Sequence, residues 1–370
     1  TIGESVFSGA DSLQAINVDK GNKNYASIDG VLFDKAKETL IKYPVAREGT
    51  EYDIPEGTKV IDTQAFMVSA SNRSASKLEK VTFPETLKEI KDQAFQQTSL
   101  KEVTIPANVK FGKNIFMDAT SLTKVTFDKD VKELGEYMFW SCDNLNIIHG
   151  LEDSAIESIA KEAFSYTDLS NGITLPKNLK KIESYAFYRT NLPKIVIPDS
   201  VTEMGTGVFM NSQKLDEAVF GTGMTYVAPY TFFYCDELSK VTLTDNITEL
   251  KDGCFAANGL NGHAASDYNA EGLTTIELPN SITKLGSYVF ADNKDMTSIV
   301  LPDSITEMGD ATFRGSEALE SVSMPGSLAK LGDCTFEHCI SLTKAEFKEW
   351  LSKVEQNARG GNRHESTTSK

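Results

Sequence analysis

The chain has 370 residues, with 37 Lys plus Arg against 53 Asp plus Glu, for a formal net charge of −16. That acidic surplus argues against binding a phosphate backbone, which needs Lys and Arg gathered on one face, and against adsorption to anionic membranes. Hydrophobic residues make up 40% of the chain, enough for a packed core, and no run approaches the roughly 18 consecutive apolar residues of a membrane span.

The chain opens on Thr1 rather than Met, and Ile2 to Phe7 read as the second half of a repeat. It is therefore expected to be a piece of something longer, with any export signal or anchor outside it. Between Asp29 and Pro44 two apolar runs, Val31-Leu32-Phe33 and Leu40-Ile41, flank a charged stretch. That pattern predicts a β-hairpin, as part of an insertion over 21–44.

From Phe66 onward one unit explains almost everything. Its anchor is a phenylalanine: Phe66, Phe95, Phe116, Phe139, Phe164, Phe187, Phe209, Phe232, Phe255, Phe290, Phe313 and Phe336, with Phe7 in the same series. The commonest interval is 23 residues, as from Phe116 to Phe139 and from Phe313 to Phe336, within the range of about 20–29 for leucine-rich repeats. Ahead of the anchors runs L-x-x-[VI]-x-[ILF]-P, as in Leu100, Val103, Ile105 and Pro106, or Met296, Ile299, Leu301 and Pro302. Its alternation predicts a strand with one buried face, ended by a proline that cannot donate to the ladder. A second short segment follows, such as Ser281 to Gly286 or Ser304 to Gly309, in which the Gly is expected to give the tight turn toward the anchor.

Departures fall at Ser69 to Ser76 and at Asn258 to Gly272, a Gly-, Asn- and Ala-rich insertion that reads as a surface loop. After a last strand from Leu342 to Phe347, Trp350, Leu351 and Val354 fall at helical spacing. The expected layout is one solenoid over 1–347, a short capping helix over 348–356 and a flexible tail over 357–370. The fold class is a curved leucine-rich-repeat solenoid, mainly β with short turns and 3-10 segments. One unit alone cannot bury its apolar face, and a stack can.

Units of the form S-x-x-x-V-x-x-P-x-S-[VIL]-T-x-[ILM]-G-x-x-x-F-x-x-C, together with N-x-x-Y-x-S-x-D-G-V-L-F-D-K-x-x-x-x-L-I-x-Y-P from Asn22 to Pro44, resemble the BspA-like leucine-rich-repeat proteins. The resemblance spans residues 1 to about 347. It implies a secreted or surface-attached bacterial protein of the kind found in gut and oral commensals, of a family implicated in adhesion to host matrix proteins and other microbes. It carries over no catalytic residue.

The residues themselves supply little chemistry. Cys142, Cys235 and Cys339 share one phase, three residues after an anchor, and are expected at one inner corner. Four coils at roughly 4.8 Å each separate Cys142 from Cys235 by about 19 Å, beyond the ~7 Å that a disulfide spans. Cys254 reads as a small buried filler and Cys334 as exposed. Cys334, His338 and Cys339 form the one compact Cys/His group, short of the spaced pairs of a zinc site. The four histidines His149, His263, His338 and His364 fit no catalytic motif. No catalytic residue, cofactor or metal is expected, and the chain reads as a non-enzyme.

Two surfaces remain as ligand candidates. Outward strand positions Lys80, Thr82, Glu102, Thr104, Lys124, Thr126, Lys240 and Thr242 form ladders of hydroxyls and mixed charge, read either as a ligand face or as a solvated β-branched face. An aromatic edge beside the anchors comprises Tyr137, Trp140, Tyr166, Tyr185, Tyr188, Tyr230, Phe233 and Tyr234. Its rings either present an interface or pack on the next coil's turn. The expected partner is a protein or glycan of a host or microbial surface, bound by a monomer outside the cell, with no nucleic acid and no membrane insertion. The alternative is a rigid spacer that presents another domain.

Overall fold

The computed structural model describes residues 2–3, 6–257 and 272–347. They divide between two units, Thr1–Met224 and Thr225–Lys370. Each unit is a stretch of leucine-rich-repeat β-solenoid, and each coil contributes three segments.

The first segment is the proline-terminated strand. In the first unit Glu51–Asp53, Lys80–Thr82, Glu102–Ile105, Lys124–Phe127 and Ile147–His149 stack in parallel. Val103 faces Val125 and Ile105 faces Phe127, and these four side chains are buried. The alternation of apolar and polar residues thus sets the register, since a slip of one residue would turn the apolar set outward. The strand stops short of proline, whose carbonyl then starts the next turn: Leu87 N–H donates to Pro84 O at 3.1 Å and Val201 N–H to Pro198 O at 3.1 Å.

The second segment is a two-residue strand, as in Val60–Ile61, Glu89–Ile90 and Lys110–Phe111, again parallel from coil to coil. In the second unit the same role falls to Tyr226–Val227, Glu249–Leu250, Lys284–Leu285 and Glu307–Met308.

The third segment holds the anchor. Residues two before and two after the phenylalanine lie in the left-handed region: Gln93 and Gln97 have φ of 58° and 61°, Asn114 and Asp118 58° and 59°, Tyr185 and Arg189 59° and 55°. Such backbone costs a non-glycine residue roughly 1–2 kcal/mol. Alternating hand turns every second N–H toward the following coil. Asn114, Phe116 and Asp118 donate to Glu136, Met138 and Trp140 carbonyls at 2.8–2.9 Å. Met117, lying between them, donates back to Asn114 O at 3.3 Å. The strain is offset by a third ladder that leaves few backbone groups unpaired.

This ladder stacks the anchor rings. In the first unit Tyr43, Phe66, Phe95, Phe116, Phe139, Phe164, Phe187 and Phe209 follow one another at centroid distances of 4.5–5.6 Å and interplanar angles of 1–23°. Tyr43 holds the anchor place one repeat before Phe66, with its N–H on Ala65 O, whereas Phe7 is half exposed. In the second unit Phe232, Phe255, Phe290, Phe313 and Phe336 stack at 5.5–5.9 Å. The contact between Phe255 and Phe290 bridges the insertion, whose residues 258–271 lie outside the described set, as does the capping helix expected over 348–356 with the tail behind it.

The hairpin region forms β1 (Tyr25–Ile28), β2 (Val31–Asp34) and β3 (Thr39–Lys42), antiparallel in sequence. Asp29 and Gly30 both have positive φ, as a two-residue turn between antiparallel strands requires. β3 then pairs in parallel with Val60–Ile61 and enters the solenoid. The polar insertion after Phe66 contains a 3-10 turn, Ala70–Ala75.

The inter-segment glycines have a different cause from the one expected. Gly286 and Gly309 are not in the left-handed region, and a Cβ on Gly309 would strike the Gly286 backbone, as one on Gly332 would strike Gly309. Close coil-to-coil approach excludes a side chain there, rather than a special φ.

Candidate ligand-binding surfaces

The strand ladder of the first unit is held in place by register. Lys80 stands opposite Glu102 and Glu102 opposite Lys124, with N–O distances of 3.2 Å and 3.6 Å. The hydrogen bond and charge of Lys80, aided by Lys124, hold the Glu102 carboxyl below the usual range. Thr82 stands opposite Asp53, and Thr126 opposite Thr104 and His149. This face is therefore largely charge-matched within itself. Exposed pairs of this kind contribute about 0–1 kcal/mol each. Lys240 and Thr242 are exposed on a strand of the second unit.

The aromatic residues divide by their place relative to the anchor. Those two before it pack against the next coil. A Cβ on Gly207 would lie 2.6 Å from the Tyr185 ring, and one on Gly253 2.7 Å from the Tyr230 ring. Both glycines have positive φ, at 62° and 58°, so close ring contact and backbone hand both demand glycine. Tyr137 carries the Lys161 ammonium over its ring at 5.4 Å and hydrogen-bonds Glu162, as does the Trp140 indole; burial nevertheless pushes the Glu162 carboxyl up. Phe233 is buried at 6% exposure, wedged edge-on against Tyr230 and Tyr234, and so covers the core rather than lining an edge.

Trp140, Tyr166 and Tyr188, one or two residues after their anchors, are half exposed and form a connected row. Trp140 lies 5.1 Å from Tyr166, and Tyr166 lies 5.3 Å from Tyr188. The Arg189 guanidinium sits 5.2 Å from the Tyr166 ring centre. The Tyr188 hydroxyl is tied to Tyr166 and to Asn211, with burial raising its pKa.

A groove of about 340 Å³ opens beside this row. One wall comes from residues two after the anchor, Tyr166, Arg189 and Asn211, and the other from residues four after it, Asp143, Asp168, Asn191 and Gln213. Ladder bonds fix the spacing: Tyr166 N–H to Tyr188 O at 2.8 Å, Arg189 N–H to Met210 O at 3.0 Å. The Asn191 amide donates to Asp168 at 3.1 Å. Sequence reading found the rings here and missed the polar wall, which emerges only when residues are counted two and four places past each anchor.

The inner corner three residues after the anchor holds small hydrogen-bonding side chains. Cys142 donates to Phe116 O at 3.2 Å and Cys339 to Phe313 O at 3.0 Å, while Ser212 and Ser316 make the same bond to Phe187 O and Phe290 O. None of the five cysteines is in a disulfide; four of them are buried and Cys334 is exposed. Among the described residues no group of three or more His, Cys, Asp or Glu side chains converges as a metal site, and no helix is long and apolar enough to cross a membrane.

The family model for the BspA type leucine rich repeat region matches residues 47–154, 150–261 and 265–364. Among solved structures the chain is similar to a leucine-rich repeat protein from Bacteroides ovatus, at 22% identity over 92% of this chain and 88% of that one, with a TM-score of 0.59. It is also similar to the pneumococcal vaccine antigen PcpA, at 15% identity over 95% of this chain and 88% of that one, with a TM-score of 0.52. Likeness at these identities speaks to the fold alone. No curated protein matches the sequence.

Proposed function

This chain belongs to the BspA type leucine-rich repeat family, and we propose that it serves as an interaction module at a bacterial surface, binding host or microbial ligands through side chains that successive coils hold in register. The observation that carries this reading is the half-exposed row Trp140, Tyr166 and Tyr188 with its polar groove. Aromatic residues that keep one side in solvent, ringed by polar groups, are typical of interfaces. The strand ladder is the weaker candidate, because Lys80, Glu102 and Lys124 already neutralise one another. Repeat solenoids of this kind are scaffolds for partners rather than catalysts as a rule. The family supports a place outside the cell.

A rigid spacer is the second reading, favoured by the unbroken ring stack and backbone ladders within each unit. Binding of purified protein to a panel of matrix proteins, mucosal glycoproteins and bacterial surfaces separates the two. An interaction module binds at least one of them saturably, and binding to none leaves the spacer.

A further inference from the structure

We infer that the groove beside Tyr166 binds a neutral oligosaccharide, a step that rests on the interaction-module reading and gives it a ligand class. The groove is lined by one aromatic ring, Tyr166, and mostly by planar polar groups: the Arg189 guanidinium, the Asp143 and Asp168 carboxylates, and the amides of Asn191 and Asn211. A pyranose ring needs this pairing. Its face of C–H bonds stacks on an aromatic ring, and its rim of adjacent hydroxyls both donates and accepts, matching side chains that offer two neighbouring polar atoms in one plane.

Charge narrows the class. Two carboxylates face one guanidinium in the groove, on a chain of net charge −16. Sialylated or sulfated sugars would meet repulsion there, and a neutral sugar would not. A peptide fits less well, because binding hot spots for side chains are desolvated apolar pockets and this groove has none.

Spacing points to a ligand that itself repeats. The column Tyr166, Arg189 and Asn211 advances by one coil per residue, as does the column Asp143, Asp168, Asn191; coil-to-coil hydrogen bonds hold the first column, and Asn191 N–H to Asp168 O at 2.9 Å ties two coils of the second. Side chains arrayed this way stand at one fixed spacing along an extended sugar chain, each coil offering its own polar or aromatic contact. Asn191 also braces Asp168 at 3.1 Å, and Asn211 braces the Tyr188 hydroxyl, so the polar wall is ordered before a ligand arrives.

The test is a printed array of neutral oligosaccharides built from glucose, galactose, mannose and N-acetylhexosamines, with their sialylated and sulfated counterparts. The best neutral hit is then titrated by intrinsic tryptophan fluorescence. Wild-type protein should bind at least one neutral series and reject the charged versions. Tyr166→Ala and Asn191→Ala should each weaken binding tenfold or more, with unchanged melting curves, while the strand-face pair K80A/K124A should leave it unaltered. The exposed Asn191 keeps the test alive if the tyrosine variant unfolds. Binding of no neutral glycan, preference for the charged ones, or equal binding by Tyr166→Ala and Asn191→Ala would overturn the assignment. Retention of surface binding by the double variant Y166A/N191A refutes the saccharide site and spares the module. Binding by wild type to no surface and no glycan removes both.

Discussion

Replacing Phe187 by Ala tests the spine at a point where its surroundings are complete. The ring is fully buried and lies between Phe164, at 5.5 Å and 1°, and Phe209, at 5.4 Å and 10°. Removing the ring forfeits a transfer energy of roughly 1.5–3 kcal/mol and two ring contacts of about 0.5–1.5 kcal/mol each. The neighbouring coils cannot close the gap, because their separation is fixed by ladder bonds such as Phe164 N–H to Ala186 O and Phe187 N–H to Val208 O, both 2.9 Å. A loss of about 3–5 kcal/mol follows. Phe187→Leu keeps much of the apolar volume but neither stack and should lose about 1–2 kcal/mol. The adjacent half-exposed Tyr188, truncated to Ala, should lose about 1 kcal/mol or less. Urea unfolding followed by circular dichroism, with the slope held constant, measures all three. A Phe187→Ala loss below about 1 kcal/mol, or one no larger than that of Tyr188→Ala, would refute the claim that the ring stack is the main support of the coil.

Cys142→Ser should be nearly silent in the same assay, since Ser212 and Ser316 already make its bond, whereas Cys142→Ala removes one of two bonds to the Phe116 carbonyl, which keeps the Ala119 N–H at 3.0 Å, at a cost of about 0.5–1.5 kcal/mol. A thiol reagent should modify one cysteine quickly in the native protein, Cys334, and the other four only on unfolding; a second fast thiol would contradict the burial. Cys334 is exposed with φ at 53°, so Cys334→Gly should raise stability by about 1 kcal/mol, the reverse of glycine's usual effect. Lys42 is buried, donates to Gln64 O and Met67 O, and opens on a cavity shared with Asp11 and the Asp62–Lys91 ion pair. Burial lowers its pKa from 10.5 to about 8. Below pH 8 the lysine is charged in both states and the native state carries the penalty. Between about 8 and 10.5 the unfolded chain holds the extra proton, so stability rises with pH by at most about 3 kcal/mol. Lys42→Met should flatten that rise, and an unchanged slope would show that another group produces it.

The parts of this fold legible in the sequence are those decided by side-chain burial. The period of Phe116, Phe139 and Phe164, and the alternation before Pro84 and Pro106, report a core directly, because an apolar residue at a wrong phase would face water. The alternating-hand ladder is not legible in the same way. Left-handed backbone normally announces itself with Gly, Asn or Asp, as at Asn114, Asp118 and Gly207, yet in other coils it falls on Gln93, Tyr137, Glu162, Tyr185 and Arg189. Coil-to-coil hydrogen bonds impose it, and no local preference of these residues does. Tyr43 does not read as an anchor, because it stands inside the hairpin and is not a phenylalanine, although it lies 23 residues before Phe66. For the same reason Lys42 went unremarked in a position where later coils carry Ala65, Ala94 or Ala163.

The candidate groove was half legible, for a reason that bears on where function can reside in such a repeat. The anchor, the residue before it and the inner corner three after it are claimed by stacking: Ala186, Phe187 and Thr190 are all buried. In the coils from Phe139 to Gln213 the positions two and four after the anchor are half-buried or exposed and stand outside the core. There the coils carry unlike residues, Ser141, Tyr166, Arg189 and Asn211 in one column and Asp143, Asp168, Asn191 and Gln213 in the other. Periodicity exposes what the coils share, and the shared residues build the scaffold. On the proposed reading, recognition falls to the columns in which neighbouring coils differ, held at fixed spacing by those in which they agree. A ligand that reads several coils at once therefore gains its specificity from the Asp143–Gln213 surface and its rigidity from the ring stack beneath. That division implies that Asn191→Ala, at an exposed site, should change binding without changing unfolding, and Phe187→Leu the reverse.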